Sequence, residues 1–379
     1  MPSNNQATNS AAALAACEDL MLLVLARLPV KTICRFKSVC KPWNHLLSTQ
    51  EFIKLQYKLS TESKNQSFII HRFDKNHSNI ISVFDIESKE KILDHPFNYT
   101  LDEIDVVGCC NGLVCIKRGQ EFVLWNPAMN LSKTVPLMKD HTCIPRISEG
   151  FWYDAEGDES QGFGYDAEGD DFKVVRIVWL IGVRRAEVYS VNSDSWTIID
   201  LRFQFSDFWI YRSYSDAIVN GDPYWFAHVN VIKKEVLICF DMSKLVFKTV
   251  PLSSLDYNEV EQFIRFVDLN GSLGALVFNW KNGERIEYIE YVDCWVFDDG
   301  EQIWTKSHRV GPINVKINWF LRSLKDGRVL GKLPNGQLIV FNSETEFVED
   351  LFNVGHDFEI YEYTASLAYI QGMEKVTLR

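Results

Sequence analysis

Apolar residues at Leu20, Val24, Leu25 and Leu28 recur at i, i+4, i+5 and i+8, the spacing of one face of a helix. Glu18 and Asp19 fall in its first turn, where the positive end of the helix dipole favours acids. Pro29 stops it, because proline cannot continue the backbone hydrogen bonding. A second apolar set follows in Ile33, Phe36 and Val39, and a third after Lys41-Pro42 in Trp43, Leu46 and Leu47. Three short helices around a small core are expected, with Trp43 its largest member. From Ser67 the pattern changes to short runs of Val, Ile, Phe, Tyr and Trp, as in Phe68–His71, Ile80–Phe84, Leu113–Ile116, Phe122–Trp125, Val174–Leu180 and Val236–Phe240. Turn pairs such as Asn111-Gly112, Asn220-Gly221 and Asn335-Gly336 punctuate them, and no helix-length pattern interrupts. This part is expected to be all-β.

A repeat runs through it. A strand ends in an aromatic followed by Asp, Asn or Ser, at Phe84-Asp85, Trp125-Asn126, Tyr189-Ser190, Phe240-Asp241, Phe297-Asp298 and Phe341-Asn342. A second apolar position follows each, at Ile92, Val135, Trp196, Phe247, Trp304 and Phe347. The spacings are 41, 64, 51, 57 and 44 residues, near the ~50 of a kelch-like propeller blade. The long one contains a tandem duplication: FWYDAEGDESQG (151–162) and FGYDAEGDDFKV (163–174) share YDAEGD. About six blades would fill Ser67–Gln371.

Charge divides the chain as the pattern does. Residues 1–58 carry seven basic and three acidic groups, and the remainder 32 and 48, so the β part is strongly acidic. That disfavours nucleic acid as a ligand and favours a basic protein partner by steering. The nine cysteines form no C-x2-C pair, so they are expected to be reduced, buried thiols rather than zinc ligands. The first 16 residues are small and polar, without the basic start of a signal peptide, and the longest apolar run, Leu20–Ala26, is far short of a membrane span.

No nucleophile, phosphate-loop or H-E-x-x-H motif occurs, and Gly162-Phe163-Gly164 precedes a strand pattern, not the helix that a pyrophosphate site needs. The eight histidines show no i, i+4 pairing; a cryptic metal site in a propeller channel stays open as a minor alternative. The duplicated stretch is the most unusual feature: Glu149–Asp171 holds nine acidic residues and no basic one, interleaved with aromatics. Trp152, Tyr153, Asp154, Glu156, Asp158, Tyr165, Asp166, Glu168 and Asp170 are therefore candidates for binding a basic substrate protein, against the alternative of a lengthened, solvated loop. Phe203–Tyr214, with six aromatics in twelve residues, is a second candidate surface.

The N-terminal residues resemble an F-box, the module that docks on a Skp-type adaptor of cullin–RING ubiquitin ligases. The matches are Glu18-Asp19-Leu20, Arg27-Leu28-Pro29-Val30-Lys31, Arg35-Phe36-Lys37-Ser38-Val39-Cys40-Lys41, Trp43 and Phe52. The sequence departs from that pattern at Ala16-Cys17, where Leu-Pro is usual, and at Leu23, where glutamate is common. The β part is similar to the F-box-associated domain of plant F-box proteins, including the S-locus F-box group, in Cys110-Asn111-Gly112-Leu113-Val114-Cys115, Leu124-Trp125-Asn126-Pro127, Gly162-Phe163-Gly164-Tyr165-Asp166, Asp194-Ser195-Trp196 and Trp304-Thr305-Lys306. The resemblance implies a small all-α F-box module at 17–58, after a disordered tail at 1–16. A polar linker at 59–66 then leads to a kelch-like β-propeller at 67–371 and a short tail at 372–379. It implies a non-catalytic substrate-recognition subunit of an SCF-type ligase, with no cofactor or metal, in the cytoplasm or nucleus. Its partners would be a Skp-type adaptor and a target protein, not nucleic acid or membrane. The adaptor would be met mainly by Leu20, Val24, Leu28, Pro29, Ile33, Val39 and Trp43. The alternatives are a propeller enzyme with a metal site and a binding protein whose F-box has lost adaptor affinity.

Overall fold

The computed structural model describes residues 19–63, 67–73, 79–89, 91–96, 104–138, 159–180, 183–200, 208–212, 214–229, 233–258, 262–280, 289–313, 315–317, 319–323, 328–342, 345, 347–355 and 358–376. Four helices come first: α1 (19–26), α2 (Val30–Lys37), α3 (Lys41–Leu46) and α4 (Gln50–Glu62). Pro29 caps α2 and Pro42 sits in the first turn of α3, where a missing N–H costs nothing. The fourth helix was not expected. Thr49 starts it, its hydroxyl accepting the Phe52 N–H at 3.2 Å, and Phe52 and Gln56 are buried along one side. It runs through Glu62, so the first half of the expected linker is helix. Polar composition misled there because Leu55 and Leu59 keep an apolar stripe going between the polar positions.

Six antiparallel sheets follow, four of four strands and two of five, and apart from the last two strands of the chain each strand lies in a sheet with its sequence neighbours. From the channel outwards, blade 2 is Ile104–Cys110, Leu113–Arg118, Glu121–Asn126 and Leu131–Thr134. Blade 3 is Glu159–Asp166, Asp171–Leu180, Val183–Ser190 and Ser195–Asp200. In blade 4 the innermost strand is broken into Phe208–Ile210 and Ala217–Val219, both paired with Asp222–Val229, before Lys234–Asp241 and Val246–Pro251. Blade 5 is Phe263–Leu269, Ser272–Trp280, Ile289–Asp298 and Ile303–Val310, and blade 6 is Trp319–Ser323, Val329–Lys332, Gln337–Phe341 and Val348–Asn353. Blade 1 closes the ring: Ser67–Phe73, Asn79–Asp85 and Lys91–Pro96 receive Phe358–Tyr363 from the other end of the chain as their innermost strand, with Ser67 opposite Tyr363. Glu374–Lys375, expected to lie in a tail, pair with Leu131 and Ser132 at the outer edge of blade 2.

The apolar runs of the second and third strands are explained by burial on both faces. Phe68 and Ile70 pack toward blade 6, while Ile69 between them packs toward blade 2. Each neighbouring pair of blades shares such a core, from Phe163 and Leu124 between blades 2 and 3 to Phe266 and Leu237 between blades 4 and 5.

The aromatic-plus-Asx repeat falls at the end of the third strand in every blade, so six motifs mark six blades. Its polar residue closes the turn to the outer strand by accepting the N–H three residues on. The bonds are Ser88 to Asp85 (2.8 Å), Met129 to Asn126 (3.1 Å), Ser193 to Ser190 (3.2 Å), Lys244 to Asp241 (2.8 Å), Glu301 to Asp298 (3.0 Å) and Thr345 to Asn342 (3.1 Å). The next residue takes a left-handed conformation in the five blades where it is described, at Lys89, Asn130, Asp194, Leu245 and Gln302 (φ 49 to 55°). The aromatic then lies directly opposite the follow-on position: Tyr189 faces Trp196, Phe240 faces Phe247 and Phe297 faces Trp304.

Candidate functional site

Antiparallel order places the first and third turns of every blade at one end of the ring and the remaining connections at the other. The helical module sits on the first end. Ala128 and Met129, in the third turn of blade 2, and Ala365 and Leu367, just after the closing strand, pack into the core of Leu25, Ala26, Val30, Ile33, Leu47 and Phe52. Lys54 of α4 reaches Asp170 in the first turn of blade 3 at 3.1 Å. Tyr57, Thr61 and Glu62 of α4 line that end of a central cavity of about 1870 Å³. Burial there pushes the pKa of the Tyr57 hydroxyl up.

On the module's outer side, the expected adaptor-binding residues separate into two sets. Leu20 (63% exposed), Val24 (62%) and Val39 (67%) point into solvent, joined by Met21 and Leu23 and by exposed Pro29. Leu28 and Trp43 are half-buried, Trp43 edge-on to Phe36 with ring centroids 5.3 Å apart. Ile33 is wholly buried, so it shapes the module from within and presents nothing to a partner. The apolar face read from the sequence is thus two faces: Leu22, Leu25 and Ala26 turn inward, while Leu20 and Val24 turn outward. Burying such isolated aliphatic surface is worth roughly 25 cal/mol per Å², which is what a docking partner would supply.

The expected substrate-binding residues also separate. Trp152, Tyr153, Asp154, Glu156 and Asp158 lie outside the described residues. The second copy of the duplication does not form the exposed binding loop expected of it. Tyr165 and Asp166 end the innermost strand of blade 3, and the turn after them faces the helical module. Asp166 is buried and accepts Lys173 Nζ (2.6 Å), Ser243 Oγ (2.7 Å) and the N–H groups of Glu168 (3.0 Å) and Gly169 (2.8 Å). Burial alone would raise its carboxyl, but those bonds outweigh it and hold the pKa at about 2. Asp170 accepts the Tyr165 hydroxyl and pairs with Lys54. Tyr165, Asp166 and Asp170 therefore hold the turn and seat the module, and Glu168 is exposed on the same turn.

The opposite mouth of the cavity is built by a feature that was not expected, the break in the innermost strand of blade 4. Tyr211 N–H still donates to Phe226 O (3.0 Å) and Asp216 N–H to Tyr224 O (2.7 Å), but the intervening ladder bond is made by a side chain, Phe226 N–H donating to Asp216 Oδ2 at 2.7 Å. The looped-out residues cross the end of blade 3, where Ser215 N–H donates to Gln161 O (3.1 Å), and the Tyr214 hydroxyl donates to Asp105 of blade 2. Burial pushes the Asp216 carboxyl up, against the pull of Arg212 at 3.4 Å. Across the mouth, Tyr361 and His71 flank Glu359; burial opposes charging of His71, but the Glu359 carboxylate 4.0 Å away and the Asn79 bond outweigh it and raise its pKa.

Little here favours covalent chemistry. The seven described cysteines are free thiols, and burial pushes Cys110 up to about 12. Among the described residues no three His, Cys, Asp or Glu side chains gather as a metal-binding group, and no helix is long and apolar enough to cross a membrane.

Two family models match the chain: the F-box domain over residues 17–55 and the F-box associated beta propeller domain over residues 59–366. Among similar proteins, a putative F-box protein of Arabidopsis thaliana is 29% identical over 244 residues, 62% of this chain and 60% of that one. An F-box/kelch-repeat protein of the same plant is 27% identical, over 62% of this chain and 64% of its own length. A further F-box protein from it is 25% identical over 313 residues, 76% of this chain and 75% of that one. The aligned stretch thus spans about 60% of the length of the first of these relatives.

Proposed function

Because the chain belongs to the F-box proteins that carry an F-box associated β-propeller domain, we propose that it is the substrate-recognition subunit of an SCF-type cullin–RING ubiquitin ligase. The observation that carries this reading is the outward apolar set Leu20, Val24 and Val39, on the side of the module away from the propeller. A Skp-type adaptor covers that set. The target protein is held at the propeller, and the free mouth of the cavity supports this, since α4 already occupies the other. The subunit then works by proximity: it raises the effective concentration of target lysines at the ubiquitin-charged enzyme and needs no catalytic group of its own. Ubiquitylation and degradation of the target follow, in the cytoplasm or nucleus.

The test is adaptor capture by full-length protein with and without Leu20→Asp combined with Val24→Asp. Both side chains are solvent-exposed, so the fold should stay within about 0.5 kcal/mol of its original stability. Adaptor binding should fall at least tenfold, and cullin-dependent ubiquitin transfer to captured partners should stop. Unchanged adaptor binding by the double variant would sink this reading.

A further inference from the structure

The cations of the helical module stand apart from those of the propeller. Between Glu18 and Thr49 the chain carries Arg27, Lys31, Arg35, Lys37 and Lys41 against two acids, Glu18 and Asp19, and residues 1–17 hold no charged side chain. Arg27, Lys31, Arg35 and Lys41 are exposed, and among the described residues none of the five meets a carboxylate. Arg27 makes a neutral bond instead, its Nη1 donating to Leu23 O at 3.1 Å. On the propeller, exposed cations are paired: Lys89 meets Glu349 at 2.5 Å, Lys248 meets Asp241 at 2.7 Å and Lys306 meets Asp293 at 2.8 Å.

The unpaired cations are interleaved with the outward aliphatic set. Leu20, Val24 and Arg27 follow one another at helical spacing. On α2, Lys31 and Arg35 lie one turn apart, opposite Val30 and Ile33, which fill the core. Lys41 opens α3 directly after exposed Val39 and Cys40. The acids flank this stretch. Asp19 starts α1, ~12 Å along its axis from Arg27. Glu51 is exposed in the first turn of α4, ten residues beyond Lys41. Asp170 of the propeller meets the module from its other side, through Lys54. From Arg27 to Lys41 the surface is therefore positive, although the chain as a whole carries −12.

Aliphatic groups set among unpaired cations suit an acidic protein face or an anionic membrane. The packing favours the protein. A helix lying on a bilayer keeps its apolar side for lipid, whereas Leu25, Ala26, Val30 and Ile33 turn that side of α1 and α2 into the module's own core. The propeller behind them, with 48 acids against 32 bases after residue 58, has the sign that an anionic surface repels. We propose that the Skp-type adaptor covers this surface with an acidic face. Arg27, Lys31, Arg35 and Lys41 set how fast the two proteins meet, and Leu20, Val24 and Val39 set how long they stay together. The proposal rests on the adaptor reading above and deepens it.

The test is the kinetics of full-length protein binding a purified Skp-type adaptor. From ~50 to ~500 mM salt, association should slow at least about tenfold while dissociation stays within about twofold. Lys31→Glu combined with Arg35→Glu should slow association at least about tenfold and flatten its salt dependence, with melting unchanged. Leu20→Ala combined with Val24→Ala should do the reverse, speeding dissociation about tenfold and leaving association within about twofold. Replacing an acid by lysine on the adaptor's docking face should restore fast association with the Lys31→Glu, Arg35→Glu variant. Salt-independent association, no rescue by any such replacement, or a charge-reversed variant altered in dissociation alone would each overturn the proposal and leave the ligase role standing. An adaptor that fails to bind at any salt concentration would refute the ligase role itself. Capture of the protein by phosphatidylserine–phosphatidylcholine vesicles, abolished by the charge reversals while adaptor kinetics stay unchanged, would give the surface to a membrane instead.

Discussion

Gln56 in α4 and Leu367 beyond the closing strand, 311 residues apart, are joined by a hydrogen bond, the Leu367 N–H donating to Gln56 Oε1 at 3.3 Å. Gln56 Nε2 donates in turn to Ala365 O (3.4 Å) and Ser60 Oγ (2.8 Å), and its side chain is 1% exposed. One amide thus satisfies a buried donor and a buried acceptor of the segment that follows propeller closure. The two domains share a core and polar contacts across it, so they are one structural unit rather than two joined by a polar linker.

Gln56→Ala should therefore destabilise the whole protein, by about 2–4 kcal/mol, because it strands two buried backbone groups. Gln56→Glu should cost less, since its carboxylate still accepts from Leu367. Chemical unfolding followed by tryptophan fluorescence measures both. A chain starting at Leu59 should melt well below the full-length protein, for it uncovers Leu367 and loses the Gln56 amide. Equal melting temperatures would show that the shared core contributes nothing.

The turn that ends each third strand gives a pair of opposite expectations. Asp298→Ala removes the acceptor of the Gly300 and Glu301 N–H groups (2.9 and 3.0 Å) and should cost about 1 kcal/mol. Gln302, at φ 55°, holds a left-handed conformation that costs a side-chain-bearing residue ~1–2 kcal/mol. Gln302→Gly removes that strain, offset partly by the extra freedom of glycine in the unfolded chain. A gain of a few tenths to ~1 kcal/mol is expected, and Gln302→Val should lose stability. The same sign from both substitutions would mean that backbone strain does not control this position.

How far the sequence reveals this fold depends on which strand one asks about. Second and third strands, such as Leu113–Arg118 and Lys234–Asp241, are covered on both faces and read as apolar runs, and the aromatic-Asx motif marks the end of the third. Innermost strands carry polar residues that line the cavity, as Asp105 and Arg265 do, and outermost strands such as Val348–Asn353 (VEDLFN) mix acids with apolar residues. Neither has a pattern that composition alone detects. Asn270-Gly271, a left-handed turn pair (φ 56° and 84°), carries the same turn signal as Asn111-Gly112. The site was less legible. Helical spacing alone could not tell outward Val24 from inward Leu25, because both are aliphatic and adjacent. The charge of the duplicated segment pointed to ligand binding, whereas the burial of Asp166 depends on Lys173 and on Ser243 from the next blade. The exposure of Trp209 was visible only as aromatic density in Phe203–Tyr214, and it follows from a strand break that no local residue announces.

Asp222 sets a pH dependence. Burial, with Asp241 and Asp166 nearby, raises its carboxyl to about 6, despite the bond from the Met242 N–H at 2.8 Å. Below pH ~4 the group is protonated in folded and unfolded chains alike, so it makes no difference. Between ~4 and ~6 the unfolded chain ionises first, and the folded state loses ground by up to ~2 kcal/mol, the full penalty standing above pH 6. Asp222→Asn keeps the acceptor for Met242 and removes the charge. It should stabilise the protein at pH 7.5 and have no effect at pH 4, as read from urea unfolding at the two values. A stabilisation equal at both would assign the effect to packing instead.

The last expectation separates residues that shape the helical module from those that touch its partner. Ile33 is wholly buried, and Ile33→Ala should cost about 2–4 kcal/mol through lost burial and the cavity left behind. Trp43 is half-buried against Phe36, so Trp43→Ala should fall at the lower end of the ~3–5 kcal/mol typical of buried large aromatics. Both should weaken adaptor binding only as far as they unfold the module. Binding should therefore recover on cooling toward 10 °C, and Ile33→Val should restore most of it at 25 °C. Val39→Asp should behave in the opposite way: its side chain is 67% exposed, so melting should be unchanged while adaptor binding is lost at every temperature. Adaptor titrations at the two temperatures, beside thermal melts of the same samples, distinguish the cases. If Ile33→Ala keeps its melting temperature yet loses the adaptor, Ile33 is a contact residue and the inward assignment of α2 is wrong.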